Sequence, residues 1–204
     1  MGTRGLWGFY YKKKDKLTYN HFDSYPTGLG QTIKEFIGSH SIQELKKIAS
    51  KIRVVDGDNT PTPAQIRECN KFTNLSVSKQ NIKEWYCLLR DSQGEPESYV
   101  KGKLRYMIDS KAFIKDSLFC EYAYIINLDT KKLEIYLGFQ KKPQDNRYKM
   151  TKKEIQKLEE KHKEDKLTLY YNCKLWLEVP LKEVKDLNIK KLEKDLNKEE
   201  EEEL

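Results

Sequence analysis

The sequence predicts an α+β fold, with antiparallel sheets layered against helices and a charged helical region at the C-terminus. Three observations predict it. Residues 6–11 and 17–22 read as paired strands around a lysine-rich turn. Residues 122–128 and 133–138 read as a second hairpin around Asp129-Thr130-Lys131-Lys132. Between the hairpins, apolar residues recur at helical spacing.

Taken in order, the first hairpin leads into Asp23-Ser24-Tyr25-Pro26-Thr27-Gly28-Leu29-Gly30, a turn by composition. Leu29, Ile33, Phe36 and Ile37 then mark a helix that Gly38 ends. Ser41 with Glu44 forms a capping box for a second helix, whose inner face is Ile42, Leu45, Ile48, Ala49 and Ile52. Residues 56–61 read as a loop; their two aspartates lack EF-hand spacing. Thr62-Pro63-Ala64-Gln65 opens a third helix. Ser78 is expected to cap a fourth, with Ile82, Trp85, Tyr86 and Leu89 on one face. Residues 99–119 mix both periodicities and fit either state.

The first strand of the late hairpin is apolar on both faces: Tyr122, Tyr124 and Ile126 on one, Ala123 and Ile125 on the other. It should therefore be covered on both sides. Thr151 with Glu154 starts a charged helix with Ile155 and Leu158 as its apolar anchors, expected to project. Residues 170–179 alternate as a strand with Tyr171, Cys173, Leu175, Leu177 and Val179 inward, and Pro180 ends it. The expected organisation is one α+β domain over 1–186 and a charged helix with an acidic tail over 187–204.

Composition bounds the function. Charged residues make up 35% of 204, yet 13 Tyr, 7 Phe and 3 Trp supply enough large side chains for a core. The net charge is +7, and without the five glutamates of 199–203 it would be +12. Such a body favours nucleic acid, an anionic membrane or an acidic protein, although the lysines are scattered rather than clustered on one element. Cys69, Cys87, Cys120 and Cys173 are widely spaced and sit in apolar patterns. That argues for buried free thiols, a reducing, cytoplasmic setting and no zinc site. No apolar run approaches a membrane span, so no membrane partner is expected. No motif implies a metal or organic cofactor.

Candidate site residues crowd the first hairpin. Thr3 precedes its first strand; Asn20, His21, Asp23 and Ser24 end its second. Antiparallel pairing brings these two points together. The opening Met1-Gly2-Thr3, the strand and hairpin, and an Asp about twenty residues on resemble the N-terminal nucleophile (Ntn) hydrolases. The late hairpin resembles the central strands of that superfamily's αββα sandwich. In those enzymes the first residue of the processed chain attacks an amide, and its own α-amine acts as base.

The resemblance admits two registers. In a choloylglycine-hydrolase-like register, Gly2 takes the nucleophile's place, Asn20 stands where that family has Arg, and Asp23 matches its Asp. That implies a pseudoenzyme. In a proteasome-like register, Gly2-Thr3 resembles a self-cleaving junction, Thr3 is the nucleophile, and Asp23-Ser24 matches the Asp-Ser after the second strand. No lysine matches clearly: Lys34 is near in spacing but falls on a predicted helix. Ordinary methionine removal leaves Gly2 first and Thr3 internal.

The resemblance thus implies an amide hydrolase with Thr3 as nucleophile, Asp23 as orienting carboxylate, and His21 and Asn20 as polar contributors. The alternative is a non-catalytic module that binds a protein partner. Asp23 and Ser24 also fit a plain turn role. A third reading, less favoured, is a nucleic-acid binder that stacks bases on Trp7, Phe9 and Tyr10 beside Lys12–Lys14.

Overall fold

The computed structural model describes residues 2–165 and 168–202, without the side chains of 101–102, 163–165 and 197–202. Met1 and residues 203 and 204, the end of the expected acidic tail, lie outside the described residues. The chain forms strands β1 (Gly5–Tyr11), β2 (Lys14–Asn20), β3 (Arg53–Val55), β4 (Tyr106–Ile108), β5 (Tyr122–Asn127), β6 (Lys132–Leu137) and β7 (Lys174–Pro180). Its helices are α1 (Gln31–Gly38), α2 (Ile42–Lys51), α3 (Pro63–Cys69), α4 (Trp85–Leu88), α5 (Lys152–Asp165) and α6 (Ile189–Glu202). The fold is mixed α and β.

Five strands form one sheet in the order β2-β1-β5-β6-β7. Both expected hairpins are present, but they join through β1 and β5, which run parallel. The sheet is therefore mixed, not wholly antiparallel. The long segment between the hairpins provides the crossover that a parallel pair requires. Strands β3 and β4 make a separate parallel pair within residues 99–119 and their partner segment. The rest of that ambiguous stretch is short 3-10 turns at Pro96–Gly102 and Lys111–Lys115.

Both faces of the sheet are covered, as the apolar β5 requires. On one face Trp7, Phe9, Tyr124, Ile126 and Ile135 pack with Ile33 and Phe36 of α1 and Leu45 and Ala49 of α2. Helix α6 joins this core through Ile189 and Leu192. The other face packs Leu6, Leu17, Ala123, Ile125 and Tyr136 under Ile114 and Tyr148. There Glu134, 3% exposed, sits in the sheet. It accepts from Arg147, Tyr136 and Asn127, which satisfies a charge that burial would otherwise penalise heavily.

Local chemistry explains most boundaries. Both predicted capping boxes form, at Ser41 with Glu44 and at Thr62 with Gln65. Gly8 permits close pairing, because a Cβ there would lie 2.0 Å from the Lys16 carbonyl oxygen. The hairpin loop is Lys12-Lys13, both in the left-handed region, where Asn-Gly is usual. Both of its N–H groups donate to Asp129 at the tip of the other hairpin, 2.9 Å each. That carboxylate compensates for the unfavourable turn residues.

Three local expectations need correction. The fourth helix is the single turn of α4; Ser78 does not cap it and itself has a positive φ. Strand β7 does not alternate evenly. A bulge beside Trp176 flips its faces, so Cys173 and Leu175 meet one core while Leu177 and Val179 meet the other. Trp7 and Phe9 are fully buried core residues, so they offer no stacking surface for bases.

Candidate functional site

Pairing of β1 with β2 sets Gly5 opposite Asn20, so the chain's opening lies beside the end of the second strand. The Ser24 N–H donates to the Thr3 carbonyl oxygen at 3.2 Å. Thr3 and the turn at 21–24 are thus brought together as expected. Their side chains play different parts. Asn20 is buried, and its amide donates to Ser24 Oγ at 2.8 Å and to the Phe22 carbonyl oxygen. Ser24 is fully buried, and its carbonyl accepts from the Tyr124 hydroxyl at 3.0 Å. These contacts hold the turn to the sheet.

Asp23 is exposed, with a left-handed backbone (φ 49°). Its carbonyl accepts from Leu29 N–H at 2.7 Å, and a Cβ on Gly28 would lie 2.1 Å from it. Glycine at 28 is therefore needed for this tight loop. Among the described residues, neither the Thr3 hydroxyl nor the Asp23 carboxylate makes a hydrogen bond with another candidate residue.

His21 is half-buried. Its Nδ1 meets the Tyr19 hydroxyl at 2.8 Å, and its ring lies edge-on to Phe22. Burial, then Arg90, then Arg4, push its imidazole below the usual histidine range. Those two arginines were not anticipated from the sequence. They lie far apart along the chain: Arg4 directly precedes β1, and Arg90 starts the 3-10 turn Arg90–Ser92 that follows α4. The Arg90 guanidinium lies 5.0 Å from the Phe22 ring and 5.8 Å from Tyr86. It also donates to Gln93 Oε1. The Arg4 guanidinium lies 4.4 Å from the Phe119 ring. Among the described residues, neither arginine forms an ion pair with a carboxylate. Asp116 is near enough for Arg4 to favour its charged form, although burial dominates and raises that carboxyl.

A cleft of about 50 Å³ adjoins this corner, lined by Thr18, Tyr19, Tyr86, Ser92, Gln93 and Ser110 among others. Hydroxyl groups dominate its polar lining. Gly94, next to Gln93, has a left-handed conformation (φ 73°), where a Cβ would stand 2.8 Å from Asn20 Oδ1. Phe22, Phe119 and Phe139 expose 52%, 40% and 47% of their surface. All three belong to loops at the end of the sheet where β1 and β5 begin.

Other polar and thiol side chains are distributed elsewhere. Lys34 is on α1, as expected. His40 contacts the Phe36 carbonyl and lies 3.8 Å from Glu97, and His162 contacts the Leu158 carbonyl. The four cysteines are buried and free. Among the described residues, no group of three or more His, Cys, Asp or Glu side chains is placed to hold a metal ion. None of the helices searched among them is long and apolar enough to cross a membrane. No protein-family model, curated protein or solved structure matches the chain.

Proposed function

We propose that this protein is a non-catalytic binding module whose working surface is the end of the sheet around Arg4, His21 and Arg90, and that it recognises an anionic group. The observation that carries this reading is the pair of arginines. Both bear on His21, both rest on exposed aromatic rings, and neither is neutralised by an ion pair among the described residues. A guanidinium held on a ring still has N–H groups to offer a carboxylate or phosphate, and Arg90, which gives one to Gln93 Oε1, keeps the others. The basic body, at +7 overall, attracts the same charge at longer range. The four buried thiols support the expected cytoplasmic setting.

Inorganic pyrophosphate tests this. Bound at the arginine pair, it raises the thermal midpoint by an amount that grows with the logarithm of its concentration over its Kd. The shift should vanish in the Arg4→Gln/Arg90→Gln double variant. An equal shift in that variant would sink the proposal.

A second reading is the amide hydrolase, an Ntn-like protein with Thr3 as nucleophile. It is favoured by one contact, the Ser24 N–H on the Thr3 carbonyl, which sets Thr3 beside Asp23. Its αββα layering would rest on β3 and β4, whose Tyr106 and Met107 share a core with the main sheet. Thr3 stands behind two residues in the chain as given, so this reading requires their removal to free its amine as base. Intact mass of the purified protein decides it. A chain beginning at Thr3 supports the hydrolase, and one beginning at Met1 or Gly2 excludes it.

A further inference from the structure

We propose that the arginine–aromatic edge binds single-stranded nucleic acid, with unpaired bases stacking on Phe22 and Phe119 and neighbouring phosphates held by Arg90 and Arg4. The inference rests on the anion-binding reading above and names its partner class.

Three loops build the edge, and main-chain hydrogen bonds lock them together. Ser24 N–H donates to the Thr3 carbonyl, Glu121 N–H to the Arg4 carbonyl, and Phe139 N–H to the Ser117 carbonyl. The rings are therefore presented by fixed backbone. Phe22 and Phe119 each carry a guanidinium near one face, yet keep about half and two-fifths of their surface open, at 52% and 40%. Phe139 has a left-handed φ of 56°, an uncommon state for a bulky residue, and remains 47% exposed beside Tyr170. Lys141 and Lys142 follow it, both exposed. Large apolar rings left in water on a rigid edge mark a contact surface rather than unfinished core.

The alternation of ring and cation distinguishes the partner. An acidic peptide would satisfy the arginines but leave the rings bare. A single strand supplies a flat base and a phosphate at each step, which uses both. Exposed Asp23 and Asp116 and part-buried Glu121 lie in the same region, and Glu121 already accepts the Arg4 backbone N–H at 2.9 Å. These carboxylates keep the contact to a few phosphates and disfavour a broad basic groove. Duplex DNA, whose bases are already stacked, should bind less well.

Fluorescence anisotropy on the full chain tests this with a labelled oligothymidylate of about twelve nucleotides, within the span that such platforms cover. Polyglutamate serves as the competing probe. Binding should weaken by about fivefold or more in Phe22→Ala and in Phe119→Ala. It should be largely lost in Arg4→Gln/Arg90→Gln and retained in Phe22→Tyr. Phe22 and Phe119 are exposed and Arg4 and Arg90 half-buried, and circular dichroism confirms that each variant is folded. Oligothymidylate binding that ignores the ring substitutions, or polyglutamate binding of equal strength, would overturn the inference. So would no oligothymidylate binding at all. If pyrophosphate still stabilises the protein in that case, the arginine site survives and only the partner class is wrong. If it does not, both fail.

Discussion

His21 shows how position changes a residue's meaning. It stands two places before Asp23, a spacing that invites a catalytic pairing. In the structure its Nδ1 is taken by Tyr19, and two arginines face it. Burial and those cations hold its pKa below the usual histidine value, which favours the neutral ring. The unfolded chain therefore binds more protons than the folded one between the folded value and about 6.5. Stability should fall as pH drops through the unfolded value and level off below the folded one. His21→Gln should flatten this part of the curve, measured by urea unfolding between neutral and mildly acid pH. A slope unchanged by the substitution would remove His21 from the field of the arginines. Asn20 and Ser24, equally suggestive in the sequence, are bonded to each other and to the turn. Their side chains hold the loop that presents His21 and Phe22.

The first hairpin illustrates how a local sequence depends on a distant element. Lys12 and Lys13 are poor residues for a two-residue loop with positive φ. Asp129, at the tip of the other hairpin, accepts an N–H from each. The two hairpins are thus tied at their tips as well as along the parallel β1–β5 pair. The Lys13 and then the Lys12 N–H hold the Asp129 carboxyl below the usual aspartate range. Its contribution is complete above about pH 4, the unfolded value, and is lost as pH falls through the lowered folded value. Asp129→Ala should destabilise the protein by about 1 kcal/mol at neutral pH, the usual net worth of such hydrogen bonds. Chemical denaturation reads this directly, and an unchanged midpoint would show that the lysine turn is stable alone. Helices α1 and α2 were legible because caps and apolar spacing are local signals. The single turn of α4 was not, since residues 78–89 carry helical spacing that tertiary packing overrides.

At the scale of the molecule, the sheet order decides what can meet. Both hairpins were readable from turn residues and alternation, but nothing local says that β1 lies parallel to β5. That pairing puts residues 3–4, 21–24 and 117–121 at one end of the sheet. The polar corner was found from sequence because one hairpin makes it. Arg90, Phe119 and Phe139 were missed because they reach it from three separate segments, and no spacing records that approach. The bulge in β7 was missed for a related reason, since an extra residue erases the alternation used to read faces. Helix α6 expresses both sides of the composition: a Lys/Glu surface for solvent, and Ile189, Leu192 and Leu196 buried in the protein.

The central claim is that an anionic group binds where Arg4 and Arg90 both act on His21. The most direct measurement is an NMR titration of the His21 ring in chloride and in sulfate at matched ionic strength. Sulfate stays doubly charged across the range and offsets the two cations when bound. The account predicts a His21 pKa below the usual value in chloride and a rise in sulfate, with no rise in Arg4→Gln/Arg90→Gln. A His21 pKa that is the same in both salts would contradict it.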